Sequence, residues 1–181
     1  MNFPLHEFQI STEHILVGTT DLLIPKIAPR FRKWTGKTIE NTFGNKALIE
    51  VNGRPVFAEL AILDIFTRKG WDGRWIEPYG KNSMSPALLT GWEDRPYKEQ
   101  VHQPIEDIFI VQMLARIASA NNNSFSGCWD VLAWQSQHFI FAESKRKGKD
   151  AIRATQIEWL RAALNCGFDE SNFLFVEWDF E

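Results

Sequence analysis

The chain has 181 residues, of which 44% are hydrophobic and 24% charged, with eight tryptophans; that composition describes a globular protein and excludes a disordered, collagen-like or fibrous one. At this length one domain is the default, and most of the surface exposed by the unfolded chain can be buried. A net charge of −3 argues against holding nucleic acid by bulk positive charge, although charge is unevenly spread along the chain.

No stretch reaches the roughly 20 apolar residues that a membrane helix needs. The start, Met1-Asn2-Phe3-Pro4-Leu5-His6-Glu7, lacks the basic then apolar layout of a signal peptide, so a cytoplasmic location is expected. Cys128 and Cys166 form no CxxC pair, and two reduced, buried thiols are expected rather than a disulfide framework or a zinc ribbon. His6, His14, His102 and His138 have no ligand spacing, and there is neither a P-loop nor a GxSxG elbow.

Residues 1–50 carry prolines at 4, 25 and 29 and short β-like runs at 14–20 and 47–52, a mixture expected to be irregular. Between Leu22 and Ile39 there is no acid, against Lys26, Arg30, Arg32, Lys33 and Lys37. With Phe31 and Trp34 interleaved, this stretch is either a base-stacking surface or ordinary core.

Residues 55–69 read as a helix, with Pro55 in its first turn and Gly70 at its stop. Val56, Leu60, Leu63 and Phe66 form its apolar stripe. Glu59 falls inside that stripe, so it either needs a partner or a metal, or packs its stem while its head reaches water. A strand is expected over 71–79 and a loop over 80–100. A second helix follows over 104–120, with Glu106 and Asp107 in its positive first turn.

The last third is the most regular. Residues 127–134 and 138–145, rich in Val, Ile, Phe and Trp and separated by Gln135-Ser136-Gln137, read as a hairpin. A helix capped by Asp150 is expected over 150–165, with Ile152, Trp159, Leu160, Ala163 and Leu164 buried and Gly167 beyond its end. A closing strand follows over 172–180. The order of elements predicts an α/β (α+β) fold with helices around a mixed central sheet.

Side chains alternate along a strand, so Phe139, Phe141, Glu143 and Lys145 share one face. If the turn is centred between Ser136 and Gln137, Asp130 lies across from Glu143 on that face; a register slip of one residue would turn it away. Two carboxylates beside an ammonium make a hard oxygen site suited to Mg²⁺, which acidifies water and neutralises charge on a phosphate. Lys145 would orient the water or stabilise developing negative charge. The competing reading is a solvated surface salt bridge, and the pattern alone does not choose between them. Gln156 shares a helix row with Ile152 and Leu160, a polar group on the buried side.

Gly127-Cys128-Trp129-Asp130, then Phe141-Ala142-Glu143-Ser144-Lys145, then Gln156-Ile157-Glu158-Trp159-Leu160 together resemble the PD-(D/E)xK nuclease superfamily, most closely its virus-type replication-repair (VRR-NUC) branch. The likeness covers roughly residues 55–80 and 125–180. It implies a restriction-endonuclease-like core over 55–181, with an insertion at 80–126 and an extension at 1–54. It also implies that Asp130 and Glu143 bind Mg²⁺ or Mn²⁺, that Lys145 assists the water, that Glu59 supports the metal site and that Gln156 lies close by. Trp129 stands where the family's name has proline, and residues 1–50 match nothing in the pattern.

Arg146, Lys147, Lys149 and Arg153 leave the site toward the next helix, where they would contact flanking phosphates or form a solvated turn. The resemblance thus implies a DNA nuclease in replication, repair or restriction. The alternative is a non-catalytic module that keeps the fold and binds nucleic acid or protein. Cutting two strands is often the work of a dimer, which makes a homodimer a candidate arrangement.

Overall fold

The computed structural model describes residues 5–78 and 84–181. The expected strand end at residue 79 and the first loop residues, 80–83, lie outside them, as do residues 1–4 of the chain start.

Among the described residues, eight strands form one mixed sheet whose path runs β1 (Ser11–Val17), β2 (Thr20–Ile27), β10 (Phe173–Phe180), β9 (His138–Arg146), β8 (Val131–Gln135), β6 (Asp72–Glu77) and β7 (Ala87–Leu89), with β3 (Arg30–Phe31) also on β10. β10 runs parallel to both β9 and β2, and the other neighbours on this path are antiparallel.

Both faces of the sheet are covered, so the central strands are apolar on both sides. Phe139 and Phe141 of β9, with Phe173 and Phe175 of β10, pack under α2 (Ile108–Ala120) and α3 (Ala154–Asn165). Ile140, Ala142, Leu174 and Val176 face the other way, against α1 (Ala58–Thr67). α1 is apolar nearly all round because β4 (Ile49–Val51) and the aromatic residues Phe57 and Trp75 join the same core. No helix among the described residues is long and apolar enough to cross a membrane.

The hairpin has the expected register: Gln135 pairs with His138 and Val131 with Ala142, around a two-residue turn in which Ser136 takes φ 56°. Asp130 is the residue immediately before β8, and its carbonyl accepts from the Ile76 N–H at 2.8 Å. Gly127, at φ 78°, lies against the start of α3, where a Cβ would collide with the Thr155 carbonyl.

Several boundaries differ from the expectation. Residues 11–31 are not irregular, since β1 and β2 turn at Gly18 and extend the sheet, whereas 32–48 contain no strand or helix, as expected. Pro25 is tolerated in β2 because pairing with β10 begins only at Lys26. Pro55 lies in β5 (Arg54–Val56), which pairs with β4 across the left-handed pair Asn52-Gly53, so α1 begins three residues later than Pro55. α2 begins at Ile108, where the Asp107 carboxylate caps the Phe109 and Ile110 N–H groups. The carbonyls of Gln103 and Pro104 are held by Arg74 instead. Asp150 does not cap α3; its carboxylate accepts from the Arg146 N–H and closes the turn after β9. The cap falls to Gln156, whose side-chain oxygen accepts from the Arg153 N–H at 2.9 Å.

Candidate active site

A cleft of about 880 Å³ opens where β9 ends, β8 begins, and α1 and α3 both start. Ala58 and Glu59 bring the N-terminus of α1 to it, and Thr155 and Gln156 bring that of α3. Two helix N-termini facing one cleft favour an anion there, because their free N–H groups carry partial positive charge.

The register brings the sequence-derived residues together. Glu143 is 0% exposed, Lys145 6% and Gln156 8%, which rules out a solvated surface salt bridge. The Lys145 Nζ donates to Glu143 Oε1 at 2.7 Å and to Gln156 Oε1 at 3.1 Å, while Gln156 Nε2 donates to Glu143 Oε1 at 2.6 Å. These three side chains form a closed ring, tied to the backbone through the Arg153 N–H. Gln156 does two jobs, capping its helix and fixing the lysine, which is why a polar residue occupies the buried row.

Asp130 keeps part of its surface open to the cleft, and its Oδ2 accepts from the Ser144 N–H at 2.9 Å. Burial and the negative charge of Glu59 push its carboxyl above the ordinary carboxylate range, against the pull of Lys46, Lys145 and the Ser144 N–H. Burial and the Asp130 charge push Glu143 well above its usual range, opposed by Lys145. The Cys128 thiol is also raised, by burial and then by Glu143 and Asp130, so it is a structural thiol rather than a nucleophile.

Glu59 is 7% exposed and points into the interior. The sequence reading did not supply its partner, which is Lys46: the ammonium bonds Glu59 Oε1 and lies over the faces of Trp75 at 4.9 Å and Phe43 at 5.4 Å. Burial disfavours the Lys46 charge, but Glu59, Asp130 and Glu77 outweigh it and hold the ammonium above its usual range.

Lys46 follows three consecutive left-handed residues, Phe43, Gly44 and Asn45, at φ 45°, 80° and 61°, and its N–H closes on the Thr42 carbonyl at 3.0 Å. For a phenylalanine that conformation costs about 1–2 kcal/mol and persists only where its surroundings impose it. The signal in the sequence was slight: Gly44-Asn45 marks a turn, but no periodicity shows where the next side chain points. The Ser144 N–H was also missed, being a backbone group.

The donor set fits a hard cation. Buried Oε2 of Glu143 accepts from no protein N–H, and the Asp130 carboxyl lies within hydrogen-bonding reach of Glu143, so two carboxyl groups converge where a cation would offset their repulsion. No group of three or more His, Cys, Asp or Glu side chains among the described residues forms a ready cage. Mg²⁺ does not require one, since it is commonly bound by one or two carboxylates plus water and substrate phosphate.

Arg146, Lys149 and Arg153 line the cleft, whereas Lys147 is exposed outside its lining. Arg146 stacks on Phe180 at 4.7 Å and Trp178 at 5.6 Å, which stiffens one part of the rim. The earlier basic stretch does not reach the cleft: Lys26 pairs with Glu13, Arg32 with Glu50, and Phe31 packs on Trp178. No protein-family model, curated protein or solved structure matches the chain.

Proposed function

We propose that this chain is a metal-dependent nuclease that hydrolyses a phosphodiester bond, with Asp130 and Glu143 as the metal-holding carboxylates and Lys145 beside the reacting water. The observation that carries this reading is the buried ring of Glu143, Lys145 and Gln156 next to Asp130, with Glu143 Oε2 left without an N–H donor at the base of an open cleft. A surface ion pair would not be buried, and a purely structural one would not set a second carboxyl, that of Asp130, against a fully buried Glu143. When bound, Mg²⁺ or Mn²⁺ would neutralise charge on the phosphate and lower the pKa of water.

The chain's own residues do the rest. Gln156 holds the Lys145 ammonium in one orientation, so that it presents a fixed positive charge where negative charge develops. The helix N-termini and Arg146, Lys149 and Arg153 position the flanking phosphates. The order of Asp130, Glu143-Ser144-Lys145 and Gln156 resembles the PD-(D/E)xK pattern and its VRR-NUC branch, and DNA rather than RNA is taken from that likeness.

The test is incubation of the purified protein with labelled single-stranded, duplex and branched DNA in Mg²⁺, Mn²⁺ or EDTA, alongside Lys145→Ala. The expected result is metal-dependent cleavage that falls on the order of 10³-fold or more in the variant. Equal cutting by both proteins would overturn the assignment of Lys145. Tight binding without turnover under either metal would leave a non-catalytic binding module instead.

A further inference from the structure

The carboxylates at the cleft divide between two ammonium groups. Glu143 belongs to Lys145, and Glu59 belongs to Lys46. Asp130 feels the charges of both lysines. A second divalent ion is commonly placed a few ångströms from the first in phosphodiester-cleaving sites, where the two clamp the attacking and leaving oxygens. On the Glu59 side of this cleft the lining already supplies a positive charge, that of Lys46.

We propose that Lys46 is a tethered cation standing in for a second divalent ion, so that the site takes one metal, on Asp130 and Glu143, and completes its charge with an ammonium. The proposal rests on the reading of Asp130 and Glu143 as metal ligands. It gives Glu59 the role of anchoring Lys46 rather than binding metal itself.

Three observations support it. The Lys46 ammonium is held by an ion pair with Glu59 and by the faces of Trp75 and Phe43, so it is fixed rather than free to sweep through solvent. It is delivered by a backbone of three left-handed residues, a conformation that an ordinary surface loop has no reason to keep. The residues leading into that turn, Glu40 and Asn41, are clamped by Trp92 and Asp94. Both oxygens of the Asp94 carboxylate accept from the Glu40 N–H, and its Oδ1 also accepts from the N–H and Nδ2 of Asn41, at 2.8–3.1 Å. Trp92 Nε1 donates to the Asn41 carbonyl at 2.8 Å. Two segments absent from the nuclease-like pattern thus meet to position one ammonium.

The experiment is calorimetric titration of the full chain with Mn²⁺ in the absence of DNA, repeated on Lys46→Met, on Lys46→Met combined with Glu59→Gln, and on Asp94→Ala. The parent should bind one Mn²⁺. Lys46→Met should bind a second, at least about tenfold more tightly than any residual second binding in the parent, because a fixed repelling charge has gone. The double variant should return to one, since the freed carboxylate is then lost.

Asp94→Ala changes an exposed clamp and not the cleft, so it keeps the test decisive if Lys46→Met fails to fold; loosening the turn should let a second equivalent bind. Two Mn²⁺ in the parent, or one in both Lys46→Met and Asp94→Ala, would overturn the proposal while leaving the nuclease reading in place. No Mn²⁺ in any variant would overturn this proposal alone, because substrate phosphate completes such a site, and the cleavage assay decides the nuclease reading separately.

Discussion

The two lysine–glutamate pairs are built in opposite ways. Glu143 and Lys145 are two residues apart on one strand, both buried, with Gln156 of a neighbouring helix closing the ring. Glu59 starts a helix, and its lysine arrives from a left-handed turn 13 positions earlier in the chain, with 30% of the lysine side chain still exposed. The first pair is fixed by regular secondary structure and the second by loop contacts. A difference of that kind separates what the scaffold holds in any case from what a loop adds to it.

The sharpest way to break the comparison is to remove each glutamate. Glu143→Ala leaves Lys145 buried with only Gln156 beside it and should cost about 3–5 kcal/mol. That corresponds to a melting temperature lower by about 6–20 °C for a chain of this size. Glu59→Ala leaves an ammonium that can turn toward water and should cost about 1 kcal/mol or less. Thermal unfolding in EDTA measures both, and equal losses would mean that the two pairs are equally committed.

A smaller effect, of opposite sign, is expected at Asp130. Its folded-state pKa is raised, so the folded chain holds that proton more tightly than the unfolded one. The stability it contributes is present below the ordinary carboxylate range and lost as pH rises through the raised value. Asp130→Asn keeps the acceptor for the Ser144 N–H and removes the like charge beside Glu143. It should therefore stabilise the metal-free protein by about 1–2 kcal/mol at neutral pH, with the gain fading in acid. Melting curves from acid to alkaline pH check this, and a loss at every pH would refute it.

The smallest effect lies on the rim. Lys149→Ala or Arg153→Ala should each reduce the slope of log affinity for duplex DNA against log salt by about 0.9 and leave Mn²⁺ stoichiometry unchanged. Lys147→Ala, outside the cleft lining, should change the slope least.

The Glu143 side was legible in the sequence because it follows two short periodicities, the alternation along β9 and the helical row of α3, and because the two-residue turn at Ser136 fixed the register. The Lys46 side was not, since its position comes from a turn whose approach, at Glu40 and Asn41, is held by Asp94 and Trp92 from more than fifty residues away in sequence. β1 and β2 were hidden for a different reason, since they pair locally across Gly18: Leu16 and Leu23 are apolar yet exposed, which blurs the alternation, and only β2 meets β10 from the other end of the chain. Boundaries slipped at Pro55 and Asp150, where a residue that commonly opens a helix was taken up by a hairpin and by a strand-end turn.

Gly127 sets how wide the mouth of the cleft can be. It lets the chain leading to Asp130 rest directly on the backbone of α3, with no side chain as spacer. An alanine there would act as a wedge, levering the helix that carries Gln156 away from the strand that carries Lys145. The damage would be geometric and spread over the whole helix, so a heat-sensitive protein with its cleft carboxylates intact is the expected phenotype, and a compensating change would have to shorten the far side of the lever.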